Sequence, residues 1–386
     1  MPSRSRIALV YLARHAEGRV ALCRFAESYA RHPAGIEHEL AIVYKGFDEP
    51  DALATAKTIF ASLPHVAVDV TDAGFDIGAY LIAAIRLDHE YICFVNTFVE
   101  IAADGWLGHL YRNAALPDVG IVGATGSYES LKSTQKLIQK IRWLCNEARI
   151  DYDERLVFYY DFIIDLGCRV WKAKGAGCPY SQREALLAHL KAIGWRYRGS
   201  TSPIDVFRPV TRRASLDDQF ERHWNGLISP GRFLADYAQF PEFPNPHVRT
   251  NGFMIRRTRL LDLGFQAPAS KLAACAFESG ADSLTRRLRR KGLRALVVDK
   301  HGRGYDSQDW SRSGTFRLGA QEGLLIHDKQ TRAFDLMPPG PQFTHRRLTW
   351  GDYLGPPPKD FPDVGLRFPV DEAVTGVAAP SLAQVP

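Results

Sequence analysis

With 386 residues, 46% of them hydrophobic, the chain is long enough for one large domain or two ordinary ones around a sizeable core. A formal charge of +6 and a pI near 8.9 favour anionic ligands such as nucleotide diphosphates, acidic glycans or a phospholipid surface, without choosing among them. No apolar run approaches the ~20 uncharged residues of a membrane span, and the six cysteines form no C-x-x-C pair, which argues against a zinc site or a disulfide framework and for reduced cytosolic thiols.

The opening "MPSRSRIALVYLAR" carries a strand-length apolar run with no small-residue cleavage site, and reads as a first core strand, not a signal peptide. Strand and helix then alternate over the first ~125 residues, the pattern of a parallel sheet with crossover helices. "RIALVYLA" leads to helix "GRVALCRFAESYARH", "HELAIVYKG" to helix "DEPDALATAKTIFASL", and "VAVDV" through "TDAGFD" to helix "IGAYLIAAIRL"; strands "YICFVN" and "VGIVGAT" follow. The strands are near-continuous apolar runs, as expected where both faces are covered. In the second helix Leu53, Ala56, Ile59, Phe60 and Leu63 share one face.

From Ser127 to about His247 the alternation gives way to aromatic-rich helical patterns, which an inserted helical subdomain explains better than a long loop. Alternation resumes with "VRTNGFMIRRTRLLDLG" (strand, short helix), helix "GADSLTRRLRRKG", strand "LRALVV" and an expected hairpin over "TFRLGAQEGLLIHDKQTRAF". From Pro356 the composition is that of a flexible tail. The chain therefore divides into an α/β part, 1–126; a helical insertion, 127–247; a second α/β part, 248–355; and a tail, 356–386.

Open parallel sheets bind ligands beyond the carboxyl ends of their strands. That rule selects "ARHAEG", "YKGFDEPD", "TDAGFD" and "NTFVE", four consecutive polar loops expected to line one crevice. The run "YKGFDEPD…DAGFDIGAY…YICFVNTF" resembles the nucleotide-binding half of GT-A glycosyltransferases, in which a later strand ends on Asp-x-Asp. "GFDIGAY" is also similar to the N-x-G-R-D turn of rhamnan-synthesis type glycosyltransferases. Further on, "RTNGFMIRRTRLLDLGF" and "AFESGADSLTRRLRRKG" resemble the acceptor-side strand and the helix that, in the family, opens with the catalytic acid. The resemblance covers about half of the chain and implies a GT-A, Rossmann-like, mostly parallel sheet flanked by helices. The first α/β part would hold the nucleotide sugar; the insertion and the second part would serve the acceptor and catalysis.

Glycosyl transfer needs the acceptor hydroxyl deprotonated, which a positioned carboxylate does. It also needs the leaving diphosphate's charge stabilised by a divalent metal or by Arg and Lys. Glu278 is the candidate base and Asp282 its competitor; the bland alternative makes each a helix N-terminal acid favoured by the macrodipole. For the donor, Asp48 and Asp76 are either ligands of base or ribose or N-caps of the helices that follow them. Arg14 and His15 either meet base and phosphate or belong to a solvated loop.

Asn96 and Phe98 of Asn-Thr-Phe stand where the family has its two Asp residues, and phenylalanine cannot ligate a hard cation. Asn96 can still bond a ribose or sugar hydroxyl. Glu100, Asp104 and His327 are the remaining candidate ligands for Mg2+ or Mn2+, against plain surface roles. Without a metal, Arg249 is the first cation to consider, ahead of Arg256, Arg257 and "TRRLRRKGLR".

The reading is a cytoplasmic glycosyltransferase, peripheral at the inner face of the membrane, that moves a sugar from a nucleoside diphosphate donor to a glycan or lipid-linked acceptor in surface polysaccharide synthesis with inversion. No nucleic acid is expected as partner. The alternatives are a non-catalytic sugar- or nucleotide-binding relative and a peripheral protein of anionic surfaces.

Overall fold

A computed structural model describes residues 5–134, 237–337 and 339–351. Most of the expected helical insertion, with Trp143, Trp171, Trp195 and Trp224, and the expected tail lie outside them. The chain forms two compact units, residues 1–128 with 239–335, and residues 129–238 with 336–386. The first holds the sheet. Of the second, the longest described element is helix Pro339–Trp350.

The fold class is the one the sequence leads us to expect, a mixed α/β sheet flanked by helices. In chain order its first elements are β1 (Ile7–Arg14), α1 (Gly18–Arg31), β2 (Glu39–Lys45), α2 (Pro50–Ile59), β3 (Val66–Val70), α3 (Phe75–Arg86) and β4 (Tyr91–Val95). There follow β5 (Glu100–Ile101), α4 (Trp106–Ala114), β6 (Val119–Gly123), β7 (Gly126–Ser127), β8 (His247–Val248), β9 (Gly252–Arg256) and α5 (Arg257–Leu261). The last elements of this unit are α6 (Lys271–Ser279), α7 (Leu284–Arg290), β10 (Arg294–Val298), β11 (Gly304–Tyr305), β12 (Ile326–His327) and α8 (Lys329–Asp335).

The main sheet has the order β11-β10-β6-β9-β4-β1-β2-β3. β1 runs parallel to β2 and β4, β2 to β3, and β6 to β10; β9 runs against both its neighbours. Central strands are buried throughout, as their apolar runs require: β1 buries all but Arg14, and β4 and β6 bury every residue. β3 departs from that expectation, with only Val68 buried, because it is the sheet's outer strand and one flank has no neighbour. One layer of the core stacks Tyr11 on Phe25, ring centroids 3.7 Å apart, with Phe60 of the predicted apolar face of α2 beside them.

The chain runs outward from β1 to β3 and returns through α3 to place β4 on the other side of β1. Strand order reverses there, so loops from β1 and β4 diverge and leave a crevice between them. Because β9 is antiparallel, Gly252 pairs with Val95 and Arg256 with Tyr91. The entry into β9 thus meets the crevice, and its exit lies at the far end of the sheet.

The expected hairpin over 315–334 does not form. Gly314 and Gly319, with Arg317 and Gln321 also at positive φ, break the segment into turns. What survives is β12, which pairs with β5 and not with a neighbour in its own segment, and then α8.

Candidate functional site

The first wall of the crevice is built on a lysine inside an apolar strand. Lys45 ends β2 with no exposed side-chain surface, and its Nζ donates to the carbonyls of Thr71 at 3.1 Å and Ala73 at 2.6 Å, with Asp72 Oδ1 at 3.4 Å. A buried ammonium is tolerated only when it is bonded in this way; burial still pushes its pKa down. Asp72 is half-exposed and receives Arg14 in a two-pronged pair, both distances 2.9 Å, while Arg14 also reaches Glu17 at 3.0 Å. The bonds from Arg14 hold the Asp72 carboxyl below its usual range. The loops after β1, β2 and β3 are thereby fastened together.

Asp76 sits at the second position of α3. The N-cap is Gly74, left-handed at φ 73, and no side chain caps this helix, so the expected capping role of Asp76 is not what the structure shows. A Cβ on Gly74 would come within 3.0 Å of Gly78, and the two glycines let the turn close on the helix. Burial raises the Asp76 carboxyl's pKa, against Lys271, Arg14 and Lys45, whose charges act to lower it. Asp48 likewise caps nothing. Helix α2 begins two residues after it, on Pro50, with Glu49 at the N-cap, and Asp48 is an exposed loop residue. His15 is exposed beside Phe47, ring centroids 5.0 Å apart, at the mouth of a cleft of about 350 Å³ between α1 and α2.

At the end of β4, Asn96 Oδ1 accepts from the Phe98 N–H at 3.1 Å, an Asx turn that swings the chain into β5. Thr97 is buried and tied to the Leu12 carbonyl at 2.7 Å. The Asn96 N–H donates to the carbonyl of Asn251 at 3.0 Å, which joins this corner to the entry of β9.

Glu278 belongs to the same wall. Its Oε2 accepts from the Thr250 N–H and from the Thr250 hydroxyl, both at 2.6 Å, and the Tyr80 hydroxyl of α3 reaches the Thr250 carbonyl at 3.4 Å. Its position corrects the helix-start reading. α6 begins at Lys271 behind the cap Ser270, so Glu278 is next to last in the helix, where the macrodipole disfavours an anion. The two bonds from Thr250 offset that. Glu278 Oε1 makes no hydrogen bond among the described residues. Asp282 lies instead in the α6–α7 turn, exposed, and paired with Arg287 at 2.5 Å and Arg290 at 2.8 Å, which hold its carboxyl pKa down.

The candidate cations are mostly committed elsewhere. Arg249 is buried, forked between Thr125 at 3.2 Å and Asp328 at 2.8 Å, with its guanidinium carbon 3.8 Å from the Phe316 ring centre. Burial of Asp328 works to raise its pKa, but Arg249 and the N–H groups of Thr331 and Gln330 outweigh it and hold the carboxylate charged. Arg256 and Arg257 lie at the opposite end of β9, where they bind Glu90 at 2.7 Å and the Ala84 carbonyl at 2.7 Å. In "TRRLRRKGLR", Arg286 bonds the Asn245 amide oxygen at 3.1 Å and Arg294 pairs with Asp118 and Asp306.

Glu100 and His327 face each other across β5 and β12. Glu100 is held by Arg332 at 3.4 Å and Arg24 at 3.6 Å, and Asp104 by His32 at 2.7 Å. Among the described residues no group of three or more His, Cys, Asp or Glu could hold a metal. With Phe98 in the corner and Glu100 neutralised by two arginines, these residues do not fit a divalent cation, which wants several oxygens at once.

Three residues of this site escape sequence reasoning: Lys45, Asp72 and Thr250. Only Lys45 leaves a trace, as a lone cation closing a buried strand. The others depend on which loops meet.

No protein-family model matches the chain, and no curated protein matches it. Among solved structures it is similar to TarS of S. aureus in complex with UDP-GlcNAc (14% identity, 31% of this chain and 34% of that one, TM-score 0.25). It is also similar to the galactosyltransferase LgtC in complex with donor and acceptor sugar analogs (14%, 35% and 51%, TM-score 0.26). A third is the apo form of mouse xyloside xylosyltransferase 1 (11%, 37% and 60%, TM-score 0.25). The aligned parts span between a third and three-fifths of those chains, and what they bind or transfer is a property of those proteins.

Proposed function

We propose that this chain is a glycosyltransferase that takes its sugar from a nucleoside diphosphate donor, with Glu278 as the general base. The observation that carries the proposal is the Glu278 carboxylate, held by one oxygen at the strand-order reversal with the other oxygen unbonded among the described residues. A base needs that arrangement: a fixed carboxylate with a free lone pair toward the acceptor.

The base and ribose of the donor enter over His15, Phe47 and Asp76, and Asn96 meets a sugar or ribose hydroxyl. The acceptor oxygen bonds to the anomeric carbon as that carbon's bond to the diphosphate oxygen breaks. The proton passes to Glu278 Oε1, and the bonding pair leaves on the diphosphate. Inversion follows from a single displacement. The acceptor class in this proposal is a glycan or lipid-linked sugar of surface polysaccharide synthesis, reached from the cytoplasmic face; among the described residues no helix is long and apolar enough to cross a membrane.

A second reading, a binding protein without turnover, draws on the Asn-Thr-Phe corner. E278Q separates the two. Loss of transfer by about 10²- to 10⁴-fold with donor affinity kept supports the base. A wild-type protein that binds nucleotide sugars and never consumes them, with E278Q indistinguishable from it, supports the binding protein. No thermal stabilisation by any nucleoside diphosphate or its sugar sinks both.

A further inference from the structure

We propose that Lys329 binds the donor's diphosphate directly and takes over, at the Asn-Thr-Phe corner, the charge role that a divalent ion would have. The inference rests on the donor reading above and goes beyond it by assigning the group that receives the leaving charge.

The corner holds four cationic side chains, Arg24, Arg249, Lys329 and Arg332, and their carboxylate partners are two, Glu100 and Asp328. Arg24 and Arg332 share Glu100, and Arg249 takes Asp328. Lys329 is exposed and has no ion pair among the described residues; its Nζ stands 5.4 Å from the centre of the Phe98 ring.

Its position is fixed by the start of α8. The Asp328 N–H donates to the Thr331 hydroxyl at 2.7 Å and the Thr331 N–H to Asp328 Oδ1 at 2.8 Å, a reciprocal cap that sets the first helical residue, Lys329, against the β4–β5 turn. Arg332, one turn on, donates to the Phe98 carbonyl at 3.0 Å and secures the same turn from below.

Phe98 then has a use that an acid could not serve. An aromatic face attracts an ammonium only weakly where water has access, and leaves its charge undiminished. An aspartate there would pair with Lys329 and discharge it. The corner thus carries two positive charges beyond its carboxylates, and the one on Lys329 has no ion pair among the described residues; positive charge is what a departing diphosphate needs.

The test uses the full chain in titration calorimetry with a panel of nucleoside diphosphates and the matching monophosphates, in EDTA and in Mn2+. The wild type is expected to bind its preferred diphosphate in EDTA, with little gain from Mn2+. K329M should weaken diphosphate binding about ten- to a hundredfold, the worth of a hydrogen bond to a charged group, and leave monophosphate binding within about twofold. K329R should recover part of the loss, and F98D should mimic K329M. Diphosphate binding that requires Mn2+, or K329M equal to wild type, overturns the proposal and leaves the donor reading standing. Absence of any nucleotide binding by the wild type overturns both.

Discussion

Two buried cations at the edge of the crevice, Lys45 at the end of β2 and Arg249 before β9, show how differently a positive charge can be held. Lys45 is bonded by neutral carbonyls and stands 3.4 Å from a carboxylate that Arg14 also binds, so its charge is shared among three loops and closed in no pair of its own. Arg249 is matched by Asp328 at 2.8 Å, with side-chain exposures of 8% and 4%, and its charge ends there. The first arrangement ties the loops after β1, β2 and β3 together; the second is a fastening between the entry of β9 and the start of α8.

The largest effect is expected at Arg249. R249M leaves Asp328 charged and unpaired in the interior, and about 3–5 kcal/mol of stability should be lost; thermal or urea unfolding reads it. If R249M is instead stable and loses nucleotide binding, Arg249 belongs to the site and the contrast fails. The same pair predicts an acid dependence. Asp328 has a depressed pKa in the folded state, so its contribution is complete above the ordinary carboxylate value of about 3.9 and disappears as pH falls through the lower folded value. D328N should therefore show a shallower loss of stability below about pH 4 than the wild type does.

K45M should cost less, about 1–3 kcal/mol for the two carbonyls it leaves unsatisfied. It should also weaken nucleotide binding, since the loop at residues 71–73 loses its anchor. Smallest of all, D72N should change stability by no more than about 1 kcal/mol, because its pair with Arg14 is partly exposed and screened. It should tighten rather than weaken the binding of a nucleoside diphosphate by uncovering Arg14. Equal loss of binding in D72N and K45M would mean that Asp72 itself touches the ligand.

The parallel strands β1 to β4 and the polar loops after them were legible because burial on both faces writes itself into sequence as unbroken apolar runs. β9 and α5 were equally plain in "GFMIRRTRLL". The caps were not: Asp48 and Asp76 look like N-caps, yet Pro50 and the left-handed Gly74 fix where the helices begin. Whether Arg249 is a ligand or a fastening depends on Asp328, a partner 79 residues away. Lys329 gains meaning only beside Phe98, because β5 and β12 pair across the chain. Spacing along a sequence carries periodicity well and says little about which distant loops will meet.

The bond from Tyr80 to Thr250 spans 170 residues of chain. Closing so long a loop is entropically costly and late to be rewarded, and the pairings of β9 with β4 and of β10 with β6 close loops of similar length, so the crevice should assemble with that half of the sheet, after β1 to β4, on refolding. Nucleotide binding should lag behind the recovery of secondary structure, and a newly made chain would carry a formed half-sheet before it had anywhere to put a donor.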